Sequence, residues 1–283
     1  MATKKNKNPL GNGFVSGVGS IEDSTLASML RGYKSRVAGG YRALTKEDIK
    51  TAISPGKYLV SPKVDGELWF LVMGGKDCWL GNPNGRVISG DIPLLKEAAA
   101  LSNSFHNRTV LAGELFAAGK KDRARVGDLR SAMGGGKKAD VDRLGFMAFD
   151  LLAGGDKKKQ VPFENYAETF TAIQSLLEGG KRIQSIRTDT VGSPGEIENL
   201  FEELVESGKA EGLVARDQGT KIYKIKPSFS IDMVILGYTE KTGDPSQVRS
   251  ILLGLMRADG QSQVLSGCGN LKTEKERKSL MKK

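Results

Sequence analysis

The chain has 283 residues, 39% of them hydrophobic and 27% charged, so it is long enough to bury a sizeable core and has the composition of a globular protein. No run approaches 18 consecutive apolar residues, which argues against a membrane-spanning helix. The lysines near the N-terminus are not followed by the apolar segment of a secretory signal. We therefore expect a cytoplasmic protein that does not associate with membranes.

The formal net charge of +10 is distributed unevenly along the chain. Residues 1–50 carry nine Lys and Arg against four Asp and Glu, and residues 271–283 carry six against two. A basic balance of this kind suits a polyanionic partner, most often a phosphate backbone. Solvated basic termini would have the same composition, so the charge indicates a partner but no reaction.

Cysteine and histidine are scarce. Cys78 and Cys268 lie far apart without C-x-x-C spacing, so we expect neither a disulfide framework nor a structural zinc site. We expect the protein to reside in a reducing compartment. His106 is the single histidine and hence the one candidate for a histidine base.

The N-terminal half of the chain is predicted to begin with helices and to continue with strands. One helix is predicted over 20–36, starting near Ser20 or Asp23, and a short one over 45–54. From Lys57 the runs YLVSPKV, ELWFLVMGG, CWLGNPNG and RVISG are strand-like and are interrupted by Gly and Asn. TVLAGELFA and LGFMAFDLLA are two further apolar runs of strand length.

The second half predicts two more helices and a final set of strands. One helix covers 163–178 and ends at Gly179 and Gly180, and another begins at Ser193 with a capping box and Pro194 in the first helical position. The strands EGLVARD, TKIYKIKP and DMVILGYTE follow, and a hairpin is predicted around Asp259-Gly260. This mixture predicts an α+β domain followed by a small β domain.

One short motif, SPKVDG, places Lys63 between two strand-like runs. Taken alone, K-x-D-G indicates no more than a solvated turn. The residues that follow it in order each lie in or beside an apolar run, where a charge is costly unless it is paired or used. These residues are Glu114 in LAGELF, Phe149 and Asp150 in FMAFDLL, Glu211 in AEGLVAR, and Lys224 and Lys226 in YKIKP.

This ordered series, which covers roughly residues 57–268, resembles the covalent nucleotidyltransferase superfamily and, within it, the ATP-dependent DNA ligases. The resemblance implies an α+β fold at 51–230: a nucleotidyltransferase (ATP-grasp-like) adenylation domain of antiparallel sheets with flanking helices. A basic extension would precede it at 1–50. Residues 231–283 are similar to the opening strands of an oligonucleotide-binding (OB) fold domain, which is apparently incomplete.

The resemblance also implies roles for individual residues. Lys63 would attack the α-phosphorus of ATP, which requires a neutral amine, and burial and neighbouring positive charge favour that form. Lys224 and Lys226 alternate on one strand and would hold the α-phosphate from a shared face. The other expected roles are Glu211 as a ligand of Mg²⁺ or Mn²⁺, Glu114 at the ribose or the metal, Phe149 stacked on adenine, Ser61 at the adenine edge, Arg86 at the ribose, and Asp65 and Gly66 in the turn.

Three of these roles have a structural alternative. The paired lysines could form an exposed basic strand face, Glu114 could make an edge-strand salt bridge, and Phe149 could be ordinary core.

The sequence departs from the family pattern in three places. Many DNA ligases have an arginine at the position of Leu68. In this respect the sequence is similar to some RNA ligases, which also have a leucine there. Pro83 stands where an arginine on the ribose is expected, and Arg86 would substitute for it. The sequence also ends at Lys283 without the final basic motif that orients pyrophosphate during self-adenylation.

The resemblance implies a monomeric ATP-dependent ligase that seals nicked double-stranded DNA. Lys63 would become adenylated, AMP would pass to a 5′-phosphate, and the adjacent 3′-hydroxyl would displace it. The alternatives are an RNA ligase, which Leu68 favours, a capping-type guanylyltransferase, and a non-catalytic nucleic-acid-binding relative, which Pro83 and the missing final motif favour.

Overall fold

The computed structural model describes residues 7–38, 40–74, 77–102, 108–119, 123–155, 161–217, 219, 221–271 and 273–282. His106 lies outside the described residues. The chain divides into two compact units, Met1–Pro227 and Ser228–Lys283. None of the helices in the described ranges combines the length and the apolar composition that crossing a bilayer would need.

Two β-sheets form the larger unit. Their strands are β1 (Lys7–Leu10), β2 (Gly13–Ser16), β3 (Tyr41–Leu44), β4 (Tyr58–Lys63), β5 (Glu67–Gly74), β6 (Asp77–Gly81), β7 (Val87–Gly90), β8 (Thr109–Ala117), β9 (Leu144–Ala153), β10 (Ile183–Ser185), β11 (Asp189–Val191), β12 (Gly212–Arg216) and β13 (Ile222–Ile225). The strand orders are β1-β2-β7-β6-β5-β8-β9-β10 and β11-β4-β12-β13-β3. Neighbouring strands are antiparallel except for the parallel pairs β9–β10 and β13–β3, which confirms the predicted α+β architecture of mainly antiparallel sheets.

Helices cover these sheets. They are α1 (Ser24–Ala38), α2 (Ile49–Ala52), α3 (Pro93–Leu101), α4 (Val126–Met133), α5 (Tyr166–Leu176) and α6 (Pro194–Phe201), which continues into a π-helical turn, Glu202–Glu206. α5 begins after Asn165, whose side chain accepts the backbone N–H of Glu168 at 3.0 Å, slightly later than predicted. α6 begins at Pro194 as predicted, and the Ser193 hydroxyl accepts the N–H of Glu196 at 3.3 Å.

The eight-stranded sheet is apolar on both faces. Its central strand β5 is continuously apolar from residue 68 to residue 73, which is typical of a strand covered on both sides. Because side chains alternate, Trp69, Leu71 and Met73 join one core cluster, whereas Phe70 and Val72 join another.

Residues 7–50, predicted as a basic extension, are part of the larger unit. β1 and β2 extend the large sheet beside β7, and β3 pairs with β13 of the smaller sheet. α1, capped by Asp23, buries Leu26, Leu30 and Tyr33 in the cluster that contains Phe70. The segment is integrated because its apolar residues at helical spacing are core, although its overall composition is basic.

The five-stranded sheet has one apolar face and one face with several polar and charged side chains. Helices α2 and α6 cover the apolar face, where Val60, Leu213 and Ile225 are buried. The alternate residues of the same strands therefore point to the opposite face. These residues are Ser61 and Lys63 on β4, Val214 and Arg216 on β12, and Lys224 on β13.

The smaller unit is an antiparallel sheet in the order β14-β15-β16, formed by β14 (Val234–Lys241), β15 (Asp244–Met256) and β16 (Ser262–Cys268), followed by α7 (Glu274–Leu280). The predicted hairpin is present, with Gly260 at a φ of +78° in the turn. Arg277 on α7 donates hydrogen bonds to four backbone carbonyls, including that of Val248, and so holds the helix on the unit. The described strands number three, against five in a whole OB fold, so that assignment stays a prediction.

Candidate active site

Lys63 and Glu211 meet because β4 and β12 are paired. Lys63 lies opposite Gly212 in the strand register, and the N–H of Glu211 donates to the Lys63 carbonyl at 3.2 Å. The Lys63 ammonium donates to one carboxylate oxygen of Glu211, and Lys226 donates to the other at 2.5 Å. Glu211 thus bridges two lysines.

Opposing effects act on the Glu211 carboxyl. Burial by itself would raise its pKa, but the hydrogen bonds and charges of Lys226 and Lys63 outweigh burial and lower the pKa below its ordinary value. Glu211 is therefore an ionised acceptor at neutral pH, held between two cations.

Lys224 adds a third lysine on the same sheet face. Its ammonium lies 3.5 Å from the centroid of the Tyr41 ring, which β3 places beside β13. Burial lowers the pKa of Lys224, and the positive charges of Lys63, Lys226 and Lys34 lower it further. The site therefore concentrates positive charge where an anionic ligand would relieve the repulsion.

The eight-stranded sheet contributes Glu114 from β8 and Phe149 from β9. Burial raises the pKa of Glu114 to about 7, although the charge of Lys63 and a hydrogen bond from the Gly66 N–H act in the opposite direction. Glu114 consequently changes its protonation near neutral pH. Phe149 is partly buried against the core cluster of α1, with part of its side chain lining the site.

Two cavities adjoin at these side chains, and both are lined by Tyr41, Lys63, Glu114, Phe149 and Lys224. The inner cavity continues between the sheets, where Ser61, Val64, Ile186, Val214 and Arg216 line it. The outer cleft has a volume of about 810 Å³ and is also lined by Arg31, Lys34, Leu68, Pro83 and Asn84. Together they form an inner chamber with a mainly apolar lining and a mouth with several basic side chains, which suits a ligand with a flat apolar part and an anionic part.

Ser61 is one of the β4 residues on the cavity side of the five-stranded sheet. It is buried, its hydroxyl is 2.8 Å from that of Thr188, and it lines the inner cavity beside Val214.

The structure places Arg86 elsewhere. The Arg86 guanidinium lies 5.9 Å from the ring centroid of Trp69, whose core cluster is on the opposite face of β5 from that of Phe149. Arg86 is not among the described residues that line either cavity. The cause is the turn at 82–85, where the Asn82 side chain accepts the N–H groups of Asn84 and Arg86 and fixes the direction in which the chain leaves the turn.

Arg216 is a lining residue that the sequence reasoning missed. Its guanidinium stacks over Tyr166 at 4.4 Å, and its Nη1 atom is buried without a hydrogen-bond partner among the described residues. Nearby, Tyr33 donates to Asp150 at 2.8 Å and Tyr166 donates to the carbonyl of Phe149 at 2.7 Å. Strand alternation could have predicted it, because Arg216 is two residues after Val214 and four after Gly212 and so faces the same side of the sheet.

Two glycines allow the strands to approach closely at the site. A Cβ on Gly66 would lie 2.2 Å from the carbonyl oxygen of Leu115, and a Cβ on Gly212 would lie 2.4 Å from that of Ile225. Both contacts are with backbone, so a larger residue would displace a strand. The turn role expected for Gly66 therefore has a steric cause.

The carboxylates present fit a magnesium or manganese ion that is bound together with a phosphate. In the ranges that the structure describes, no group of three or more His, Cys, Asp or Glu side chains could hold a metal alone. Mg²⁺ commonly takes only one or two protein carboxylates and completes its shell with substrate phosphate and water. Glu211 and Glu114 are the two carboxyl groups that could serve in this way.

Comparison with known proteins shows which family this sequence matches. The family model described as "ATP dependent DNA ligase domain" matches residues 42–231, about two thirds of the chain. DNA ligase C1 of Mycolicibacterium smegmatis is 26% identical over 259 residues, covering 84% of this chain and 70% of that protein. DNA ligase C of Mycobacterium tuberculosis is 29% identical over 229 residues, covering 75% and 61%.

Solved structures share the fold. The structure named Pmar-Lig_PreS3 superposes with a TM-score of 0.62 at 16% identity, covering 84% of this chain and 58% of that one. A structure described as "DNA binding with a minimal scaffold: Structure-function analysis of Lig E DNA ligases" has a TM-score of 0.55 at 19% identity and covers 84% and 86%. The chain therefore spans between 58% and 86% of the length of these four proteins.

Proposed function

Because this chain belongs to the ATP-dependent DNA ligase family, we propose that it seals nicks in double-stranded DNA through a lysyl-AMP intermediate on Lys63. The observation that carries the proposal is the position of Lys63, which is bonded to Glu211 at the junction of an inner apolar cavity and a basic cleft. Lys224 and Lys226 stand beside it and Phe149 lines the chamber. A nucleophile, phosphate-neutralising charges and a stacking surface are thus adjacent.

In the first step the Lys63 amine attacks the α-phosphorus of ATP. A phosphorus–nitrogen bond forms while the bond from that phosphorus to the bridging oxygen of pyrophosphate breaks, and the lysine proton passes to solvent. Lys224 and Lys226 offset the negative charge that develops on the α-phosphate oxygens. The reaction requires Lys63 to leave its ion pair with Glu211 and to act as the neutral amine.

The inner cavity would receive the adenosine. Phe149 supplies a ring face for the base, Ser61 a hydroxyl at its edge, and Glu114 a carboxyl for the ribose or the metal. When bound by Glu211 and Glu114, Mg²⁺ or Mn²⁺ would supply Lewis-acid neutralisation of phosphate charge.

Two further steps complete sealing. An oxygen of the 5′-phosphate at the nick attacks the phosphorus of lysyl-AMP, breaking the phosphorus–nitrogen bond and freeing Lys63. The 3′-hydroxyl then attacks the activated 5′-phosphate, and AMP leaves. The net charge of +10 supports a polyanionic substrate.

An RNA ligase is the second candidate, and one observation favours it. Leu68 lines the same outer cleft as Lys63, at the position where DNA ligases often carry an arginine. Sealing of nicked DNA compared with nicked RNA, at equal concentrations and salt, decides between the two polynucleotides.

The lysyl-AMP proposal is tested with α-labelled ATP or GTP and Mg²⁺. We expect label from ATP that survives denaturation, is released by acid, and is absent from Lys63→Ala. Lys209→Ala, which removes an exposed lysine, is the matched control and should label normally. Equal labelling of Lys63→Ala would refute the proposal, and labelling from GTP alone would indicate capping. Sealing of a pre-adenylated nick tests the last step separately, and nick binding without labelling or sealing would indicate a non-catalytic binder.

A further inference from the structure

Helix α1 presents two cations to the outer cleft. Arg31 and Lys34 are three residues apart, so they are neighbours on one flank of the helix, beside the buried row that includes Leu30 and Tyr33. Both are exposed, and both line the cleft that also contains Lys63. The third basic residue of this helix, Arg36, lies on the other flank and donates to the carbonyl of Met29.

The two side chains form no ion pair with any of the described residues, whereas some other cations of the larger unit do. Arg108 pairs with Asp23, and Lys46 with two glutamates. Adjacent like charges on a helix repel each other. The positive charge of Lys34 also reaches Lys224 and lowers its pKa. Arg31 and Lys34 therefore extend the positive field of the reacting centre outward along the cleft.

The carboxyl groups of the cleft do not balance this charge. Glu67 and Glu114 line it together with Arg31, Lys34, Lys63 and Lys224. The described lining thus has two carboxyl groups against four basic side chains. The cleft therefore favours an anion with several charges, and fork-shaped guanidinium and point-like ammonium donors both suit phosphate oxygens.

Arg31 and Lys34 also lie in the same cleft as two of the three departures from the family pattern. Leu68 and Pro83 line it, and neither can contribute a charge. Apart from Lys63 and Lys224, the basic side chains among the described lining residues of the cleft come from α1. This helix precedes the K-x-D-G motif in the sequence.

We propose that Arg31 and Lys34 form a phosphate-binding site that positions the phosphate oxyanions lying beyond the reacting α-phosphorus. Two sources share this chemistry: the β- and γ-phosphates of ATP, and a phosphate of the nicked strand. The proposal rests on the proposed function for its biological setting, since a ligase presents both in turn. The residues act as positioning residues, and the chemistry stays with Lys63.

The test compares Arg31→Ala/Lys34→Ala with Arg130→Ala/Lys209→Ala. The control also removes one exposed arginine from a helix, α4, and one exposed lysine, and so lowers the net charge equally. Calorimetric titration with inorganic pyrophosphate and fluorescence titration with a nicked DNA duplex over a salt series measure binding without catalysis. Self-adenylation against ATP concentration and sealing of a pre-adenylated nick measure the separate steps. Circular dichroism checks that all variants are folded.

Binding of the ATP phosphates predicts about tenfold weaker pyrophosphate binding and a similar rise in KM for ATP in the Arg31/Lys34 variant, with sealing of the pre-adenylated nick unchanged. Binding of a strand phosphate predicts slower sealing. It also predicts that the slope of the logarithm of the nick-binding constant against the logarithm of the salt concentration becomes smaller in magnitude by about one to two. Either result supports the site. Binding and kinetics equal to those of the control would overturn it. If the wild type neither labels nor seals, the proposed function fails, while both titrations still decide the phosphate site.

Discussion

Replacing Glu114 with glutamine should remove a stability cost that grows with pH. Burial raises the pKa of this carboxyl from an ordinary value of 4.5 to about 7, so the folded protein favours the protonated form. The unfolded chain binds fewer protons between these values. Stability is therefore fully present below about pH 4.5 and is lost as the pH rises through 7. Glutamine is uncharged at every pH and mimics the protonated acid.

The magnitude follows from the two pKa values. A difference of about 2.5 corresponds to about 3.5 kcal/mol in full, at about 1.4 kcal/mol for each pH unit, and most of it develops between about pH 4.5 and pH 8. The advantage of Glu114→Gln over the wild type in free energy of unfolding should therefore increase by about 3 kcal/mol between about pH 4.5 and pH 8. Asp150, whose pKa is also raised by burial, is present in both proteins and cancels in the comparison.

Urea denaturation followed by tryptophan fluorescence measures this difference. Both tryptophans, Trp69 and Trp79, belong to the unit that contains Glu114, so the signal reports the unfolding of that unit. Glu178→Gln alters an exposed glutamate after α5 and should show no comparable pH dependence. An advantage of Glu114→Gln that is the same at both pH values would refute the argument that the Glu114 carboxyl is desolvated in the folded protein.

Three further substitutions test other parts of the site and its support. Phe149→Ala should raise the KM for ATP in self-adenylation by about tenfold or more, since stacking of a base on an aromatic ring contributes about 1–3 kcal/mol; an unchanged KM would contradict a stacking role. Arg216→Met keeps the side-chain volume but removes the buried donor, so ATP binding should weaken by about tenfold. Sealing of a pre-adenylated nick should be retained, and an equal loss in both assays would indicate misfolding instead. Leu30→Ala should lower the free energy of unfolding by about 2–5 kcal/mol in urea, against less than about 0.5 kcal/mol for the exposed Val18→Ala, and equal effects would contradict the packing of α1.

The features that the sequence predicted are those with a local cause. Ser193 caps α6 because its hydroxyl reaches a backbone N–H three residues away, and Gly179 follows α5 with a φ of +80°. Lys224 and Lys226 reach one site because strand alternation is a two-residue rule.

The features that it did not predict depend on pairing between distant segments. Tyr41 reaches Lys224 only because β3 pairs in parallel with β13, about 180 residues away. Glu114 was expected at the site only from the family resemblance, and the pairing of β5 with β8 is what brings its strand there. Arg86 was expected at the ribose as the substitute for the arginine that Pro83 replaces, but its guanidinium lies near Trp69, after a turn that the Asn82 side chain holds.

The two glycines beside Lys63 and Glu211 affect how activity data on this protein should be interpreted. Gly66 and Gly212 each lie close to a backbone carbonyl of a neighbouring strand. The motifs that contain Lys63 and Glu211 therefore include residues that are needed for strand packing as well as residues proposed for catalysis. An inactive Gly66→Ala or Gly212→Ala enzyme would therefore report a displaced strand and say nothing about catalysis. In a library randomised across these motifs, the glycine positions would be selected for correct folding, and Lys63 and Glu211 would be selected for turnover if the proposed function holds. Screening for folded protein before screening for ligation would separate the two constraints.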